Sequence, residues 1–276
     1  MLFFILAFIA ASMVVIERIW PGQELPNVRG WWLRIGLVNA VQLALVILAG
    51  MTWDRWFASW SLLHLSTWMG DFWAAAIAYL VSTFVYYWWH RVRHESKLFW
   101  RLSHQLHHSP RRIEVLASFY KHPVEIFFNS VISSMLVYTL LGCSVQAAAI
   151  YTAITAVAEY FYHWNIHTPR WIGWLVQRPE SHRVHHQYHH HTQNFADLPI
   201  WDWLFGTLNN PKQSPKQCGF DASKEERIPE MLIFSDVHRQ PDVQKAVSPS
   251  VGPLPTCLGC KKRWACAAGK TKQPTS

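Results

Sequence analysis

At 276 residues, with 51% hydrophobic and only 15% charged side chains, the chain is too apolar for a disordered polymer, and five Cys are too few for a secreted disulfide scaffold. A net charge of +8 and a pI near 9.4 would suit nucleic acid, but the Lys and Arg residues lie beside apolar stretches rather than along one soluble face. The mean hydropathy of +0.03 therefore averages long apolar runs with segments crowded with His, Arg and Lys, the distribution of a membrane protein and not of a nucleic-acid binder.

A hydrocarbon core about 30 Å thick takes roughly 20 residues of helix, and five apolar stretches approach that length. In chain order they are Leu2 to Ile16, Ile35 to Thr52, Phe72 to Trp89, Ile126 to Leu141 and Ser144 to Tyr162. The first lacks the Lys or Arg that precedes the apolar run of a secretory signal, so it reads as a retained span. Little more than Gly142 and Cys143 separates the last two, which makes them a tight helical hairpin. Arg18, Arg29 and Arg34 lie between spans one and two, Arg55 alone between two and three, and the other basic residues follow span three or five. Lys and Arg near span ends stay cytoplasmic, so nearly all the positive charge marks one cytoplasmic face. Trp31, Trp32, Trp53, Trp56, Trp88, Trp89 and Trp171 crowd the span ends, as interfacial anchors do. The fold expected is an all-α integral-membrane bundle of about four to five transmembrane helices under a cytoplasmic helical cap. Three regions are expected: N-terminal helices and loops over 1–71, a central unit over 72–210, and a basic tail over 211–276 that is partly disordered. In that tail Cys257, Cys260 and Cys266 include one C-x-x-C, without the second that a zinc site would need.

The 16 His are spaced with an order of their own. His90 and His94 form H-x-x-x-H, and His104, His107 and His108 form H-x-x-H-H. His163 and His167 then repeat the pair, and His182, His185 and His186 repeat the triplet. On a helix turned by about 100° per residue, a pair lies one turn apart and a triplet falls in one wedge, so each group should aim its imidazoles at one point. Both pairs extend from spans, and the hairpin should bring the second set beside the first. Ten converging imidazoles would repel if protonated and be costly to desolvate if unpaired; a metal centre resolves both. Imidazole suits Zn, Cu, Fe and Ni alike, but ten ligands exceed the four of a zinc site and match two metals of higher coordination.

The ordered run of pair, triplet, pair and triplet resembles the sterol desaturase and fatty acid hydroxylase superfamily of integral-membrane di-iron oxygenases. FYKHPVE at Phe119 to Glu125, HWN at His163 to Asn165, Asn194-Phe195 and WDWLFGT at Trp201 to Thr207 extend the likeness over about Phe72 to Asn210. The resemblance implies two iron ions held by these ten histidines, with O2 as co-substrate, hydroxylating or desaturating a sterol- or fatty-acyl-type lipid drawn from the bilayer. The bottom-up chemistry agrees: side-chain acids and bases do not break an unactivated C–H bond, so a redox metal must supply the oxidant. His94 and His167 can alternatively orient a ligand instead of being one. Candidates for orienting or supplementary roles are His122, Glu125, Glu159, Asn165, His189, Asn194, Asp197 and Asp202; His64 and His238 lie outside the pattern. Neither an HPGG haem segment nor a G-x-G-x-x-G fingerprint occurs, so electrons are expected from a separate reductase, ferredoxin or cytochrome-type protein. Two other classes compete: a metal transporter, which should carry ligands at mid-span, and a catalytically inactive lipid- or sterol-binding relative. The span cores hold no acidic, basic or His residue apart from Glu159 near one end, which disfavours the transporter. The compartment, bacterial inner membrane or eukaryotic internal membrane, is not encoded in any of these features.

Overall fold

A computed structural model describes residues 2–190 and 192–239; the three C-terminal cysteines and His191 lie outside the described residues. All five apolar stretches are helical. Helix α1 (Leu2–Ile19) is followed by α2 (Trp31–Met51), the short α3 (Trp53–Ala58) and α4 (Leu65–Trp68), and the long α5 (Asp71–Glu95). The chain then hooks through α6 (Lys97–Phe99), a π-helical turn (Trp100–His104) and α7 (Gln105–His108). After a loop come α8 (Pro123–Ser134), prolonged by a π-helical segment (Met135–Leu140), and α9 (Val145–His163). A 3-10 turn (Arg170–Trp174), α10 (Pro179–His185), α11 (Pro199–Leu204), α12 (Ala222–Glu225) and α13 (Ile228–Leu232) build the cap. Among the described residues there is no strand, only an isolated bridge between Gln187 and Cys218.

Two runs, Trp31–Ala58 and Pro123–Leu140, are long and apolar enough to cross a membrane by length and composition. Local signals set the helix starts. Pro123 occupies the first turn of α8, where its missing N–H costs nothing. His122 caps that helix, its Nδ1 accepting from Val124 N–H at 3.1 Å, while Ser144 Oγ accepts from Ala147 N–H at 3.0 Å to start α9. The turn between α8 and α9 requires glycine: Gly142 has φ +65, and a Cβ there would lie 2.6 Å from the backbone N of His64.

The hairpin lays α9 along α5, and the contact is made of small residues. Ala74, Ala75 and Ala78 of α5 and Ala147 and Ala148 of α9 are buried together with Val137, Leu141 and Tyr151, which lets two backbones approach closely. A second core, Trp31, Ile35, Leu106, Ala117, Tyr120, Phe220, Met231 and Val237, lies beneath the cap. Buried charge joins α1 to it. Glu17 accepts from the backbone N–H of Val115 and of Asn165, each at 3.1 Å, and Arg18 pairs with Glu114. The α5–α9 packing thus brings His90 and His163 to the same end of the molecule, under loops anchored to the end of α1.

Candidate metal centre

Nine of the ten histidines in the motifs converge, in two abutting clusters. His90, His94, His104, His108 and His185 form one and His107, His163, His182 and His186 the other, each residue offering one nitrogen and those of a cluster all within 4.8 Å of one another. The rings of His108 and His186 stack across the junction with centroids 4.3 Å apart.

The triplets do not each aim at one point, contrary to the expectation from their spacing. His104 and His108, one turn apart, serve the first cluster, while the intervening His107 crosses to the second. The second triplet does the converse: His182 and His186 stay with His163, and His185 crosses to the first. The reason is the 100° between successive residues. Adjacent histidines in an H-H pair cannot face the same centre, so each triplet straddles both.

His167 is not brought in. An H-x-x-x-H pair needs a continuous helical turn, which His90 and His94 have because α5 runs on to Glu95. Helix α9 instead stops at His163, and Trp164 is already extended at ψ 133. His167 ends with its side chain 74% exposed, 3.9 Å from Glu180.

Hydrogen bonds fix the tautomers. A carbonyl oxygen only accepts, so an Nδ1 facing one carries the proton and leaves its Nε2 lone pair toward the cluster. His90 Nδ1 donates to Phe195 O at 2.7 Å, His163 Nδ1 to Glu159 O at 2.9 Å, His185 Nδ1 to Gln193 O at 2.8 Å and His107 Nδ1 to Tyr120 O at 3.3 Å. His104 Nδ1 donates to the Glu125 carboxylate at 3.1 Å, and Arg93 pairs with that carboxylate. Of the proposed supporting carboxylates, Glu125 is the one that meets a clustered imidazole directly.

The nitrogens left over suit a cation. His104 Nε2 is 3.0 Å from His90 Nε2 and from His94 Nε2 and 3.1 Å from His108 Nε2. His182 Nε2 is 3.1 Å from both His163 Nε2 and His186 Nε2. The lone pairs of His90 and His104 repel at that distance unless a cation shares them. One cation per cluster could share these nitrogens, since the donor atoms of each lie within 4.8 Å of one another. Burial, reinforced by the neighbouring imidazoles, holds His107, His108 and His182 well below the ordinary histidine range, and burial pushes His163 down to about 3. Burial thus favours the neutral imidazole at these positions, the form metals require.

The other candidates support the site at one remove or not at all. Asp202 accepts from the backbone N–H of Phe195 and Ala196 at 2.8 and 2.9 Å, holding the carbonyl that receives His90. Asn194, at φ +57, donates to Ser181 O and Asn209 O, both at 2.8 Å, and so pins the loop against α10. Glu159 uses its carboxylate on Lys121 at 2.6 Å and its carbonyl on His163. Asn165 receives Arg183 at 2.7 Å and braces the cap. His122 is a helix cap, its Nε2 3.3 Å from Leu232 O, and His189 packs on Tyr188 at 4.0 Å between ring centroids, outside both clusters. Sequence reasoning missed the backbone carbonyls of Phe195, Gln193 and Tyr120, which no residue type encodes, and Arg93, whose signal was a cation three residues beyond His90.

A cavity of about 460 Å³ leads from the clusters between α2, α5, α8 and α9; His90, His104, His107 and His182 line its head and Val137, Tyr138 and Ala148 its far end. Asp197 also lines it. Burial, then the nearby Glu159 charge, pushes its carboxyl up to about 7, so it can hold or release a proton near neutrality.

The described residues are helical and carry two histidine clusters, each able to hold a metal ion, at the head of a cavity that two membrane-capable helices help to wall, the class of a helical membrane protein with a candidate metal centre. Residues 75–207, which contain all ten motif histidines, match the fatty acid hydroxylase family, and this region is that of the sterol desaturase and fatty acid hydroxylase superfamily. It is 27% identical over 146 residues to alkylglycerol monooxygenase of Xenopus tropicalis, covering 51% of this chain and 32% of that protein. To ornithine lipid hydroxylase OlsE of Rhizobium tropici it is 30% identical over 136 residues, covering 48% and 40%. To sphinganine C4-monooxygenase 1 of Arabidopsis thaliana it is 25% identical over 141 residues, covering 49% and 54%. The chain thus spans from about a third to about half the length of these relatives. No solved structure matches it.

Proposed function

We propose that this chain is a multi-pass membrane oxygenase that uses two iron ions, O2 and electrons from a separate donor protein to hydroxylate or desaturate a lipid, with the histidines on the cytoplasmic side. The observation that carries the reading is the pair of abutting all-histidine clusters opening onto a cavity between apolar helices. His90, His94, His104, His108 and His185 would hold one iron and His107, His163, His182 and His186 the other. When bound, the irons supply the oxidising power toward a C–H bond that no side chain has. The chain's own residues keep the donor nitrogens neutral, orient them through Phe195 O, Tyr120 O, Glu159 O, Gln193 O and Glu125, and exclude bulk water. The Asp197 carboxyl at the cavity head is placed to hold a proton that oxygen reduction consumes.

The cavity wall narrows the substrate to a lipid with polar atoms near its reacting carbon. Tyr86 OH donates to Asn129 O at 2.6 Å and lies 2.9 Å from Ser133 Oγ, which is 3.2 Å from Tyr151 OH. Gln42 Oε1 is buried at the same cavity without a hydrogen-bond partner. Hydroxyls and amides along a membrane cavity suit a hydroxyl-, ether- or amide-bearing lipid better than a plain hydrocarbon chain. That range is the one named by the relatives, an alkylglycerol monooxygenase and an ornithine lipid hydroxylase.

Lipid profiling of aerobic cells with and without the protein tests this reading, alongside metal content per purified chain. A new hydroxyl or double bond in one lipid class, dependent on two irons per chain, is the expected result. No lipid change under air, in cells holding iron-loaded protein and a donor system, would overturn it.

A further inference from the structure

In α11, Pro199–Leu204, the single charged residue points inward and the apolar residues point outward. Asp202 is 1% exposed and occupied by backbone N–H groups, whereas Trp203 is 62% exposed and Ile200 and Leu204 are also exposed. The neighbouring turn repeats the arrangement: Gly173 is buried, while Trp171 at 63%, Trp174, Leu175 and Val176 face out. A helix in water places these residues the other way round. Neither outward face carries an acidic side chain. Arg170, whose Nε donates to Asn210 O at 3.2 Å, and the exposed Lys212 stand at the rim.

The depth of this surface is set by what it packs on. Trp201 Nε1 donates to Thr83 Oγ1 at 3.0 Å. Phe205 stacks on Tyr87 with ring centroids 5.1 Å apart and meets Trp88 edge-on at 4.8 Å. Thr83 lies seven residues before His90 on α5, about 10 Å back along the axis at 1.5 Å per residue. If α5 spans, α11 sits beside the span and not above it.

We infer that the Arg170–Val176 turn and α11 form an apron seated in the headgroup–acyl boundary of the membrane, with Trp171, Trp174, Ile200, Trp203 and Leu204 in lipid and Arg170 and Lys212 reaching the phosphate level. The occupant of this face is the bilayer, since the face continues the exposed apolar surface of α5, including Leu80 and Phe84, and bears the aromatic and basic composition of an interfacial segment. This rests on the reading of α5 as a membrane span. It alters the picture of a wholly cytosolic cap: through Asp202, Phe195 O and His90, the apron is linked by hydrogen bonds to the five-histidine cluster, which fixes that cluster at the membrane surface.

Spin labels test it in the full chain reconstituted in nanodiscs containing anionic phospholipid, with Cys257, Cys260 and Cys266 replaced by Ser and Cys143 and Cys218 left buried. Labels go on Trp203→Cys, Trp171→Cys and Ile200→Cys, with Leu80→Cys reporting the span and Lys212→Cys reporting water. The apron labels are expected to match Leu80, relaxed by O2 and shielded several-fold from a water-soluble nickel chelate relative to Lys212. Apron labels as open to the chelate as Lys212, with Leu80 shielded, overturn the apron and leave the span standing. A chelate-accessible Leu80 overturns the span reading and the apron with it.

Discussion

The two histidine clusters differ in what stands behind them. The five-histidine cluster is backed by a carboxylate, Glu125, itself paired with Arg93, and by the Phe195 carbonyl. The four-histidine cluster is backed by carbonyls, Glu159 O and Tyr120 O, and lacks the fifth imidazole that His167 would have supplied. Anionic support makes an imidazole a stronger donor, and a smaller donor set leaves more of the coordination shell to other ligands. A near-symmetric motif order thus yields two unequal clusters, and under the two-iron reading the five-histidine one would retain its ion more firmly while the other would leave more room for exchange.

The largest test of this division concerns the crossing histidines. His107→Ala is expected to remove metal from the four-histidine site and His185→Ala from the five-histidine site, each lowering metal from two to one per chain and activity to background. Either variant purified with two metals would break the assignment. Asp197→Asn should lower turnover about a hundredfold, within the span typical of general acid–base groups, with metal content intact and the pH–rate limb near 7 lost. Glu125→Gln should weaken metal binding at the five-histidine site alone by about 10- to 100-fold, seen in competition with a chelator.

Acidification acts on both clusters. The buried histidines have folded-state pKa values below the unfolded value near 6.5, so the unfolded chain binds more protons below that pH. Stability of the metal-free protein is complete above about pH 6.5 and falls as pH drops toward the folded values, by about 1.4 kcal/mol per pH unit for each histidine kept neutral. Thermal unfolding in detergent at pH 5, 6 and 8 measures it. The smallest effect belongs to His167→Ala, which should leave metal content and turnover unchanged, in contrast to His94→Ala.

Much of this was legible in the sequence. The apolar runs placed the five long helices, and the spacing of His90, His94, His104 and His108 placed one cluster almost complete. What the spacing hid was the partition, because an H-H dipeptide is two directions and not one. His167 is lost because α9 ends at His163 and Trp164 is already extended, an end that the H-x-x-x-H spacing does not reveal. The support at Phe195, Gln193 and Tyr120 is backbone, invisible to residue type, and no motif marks Glu17, which the fold buries against the backbone N–H of Val115 and Asn165.

The crossing of His107 and His185 has a consequence for assembly. Each cluster draws on residues from both the 90–108 and the 163–186 segments, which join only when the helical hairpin around Gly142 has closed. Neither site can mature on its own half of the chain, and an ion entering either one fastens the two halves together. Under the two-iron reading, metal capture would then be a late checkpoint in biogenesis, open only to chains whose helices have already found their partners.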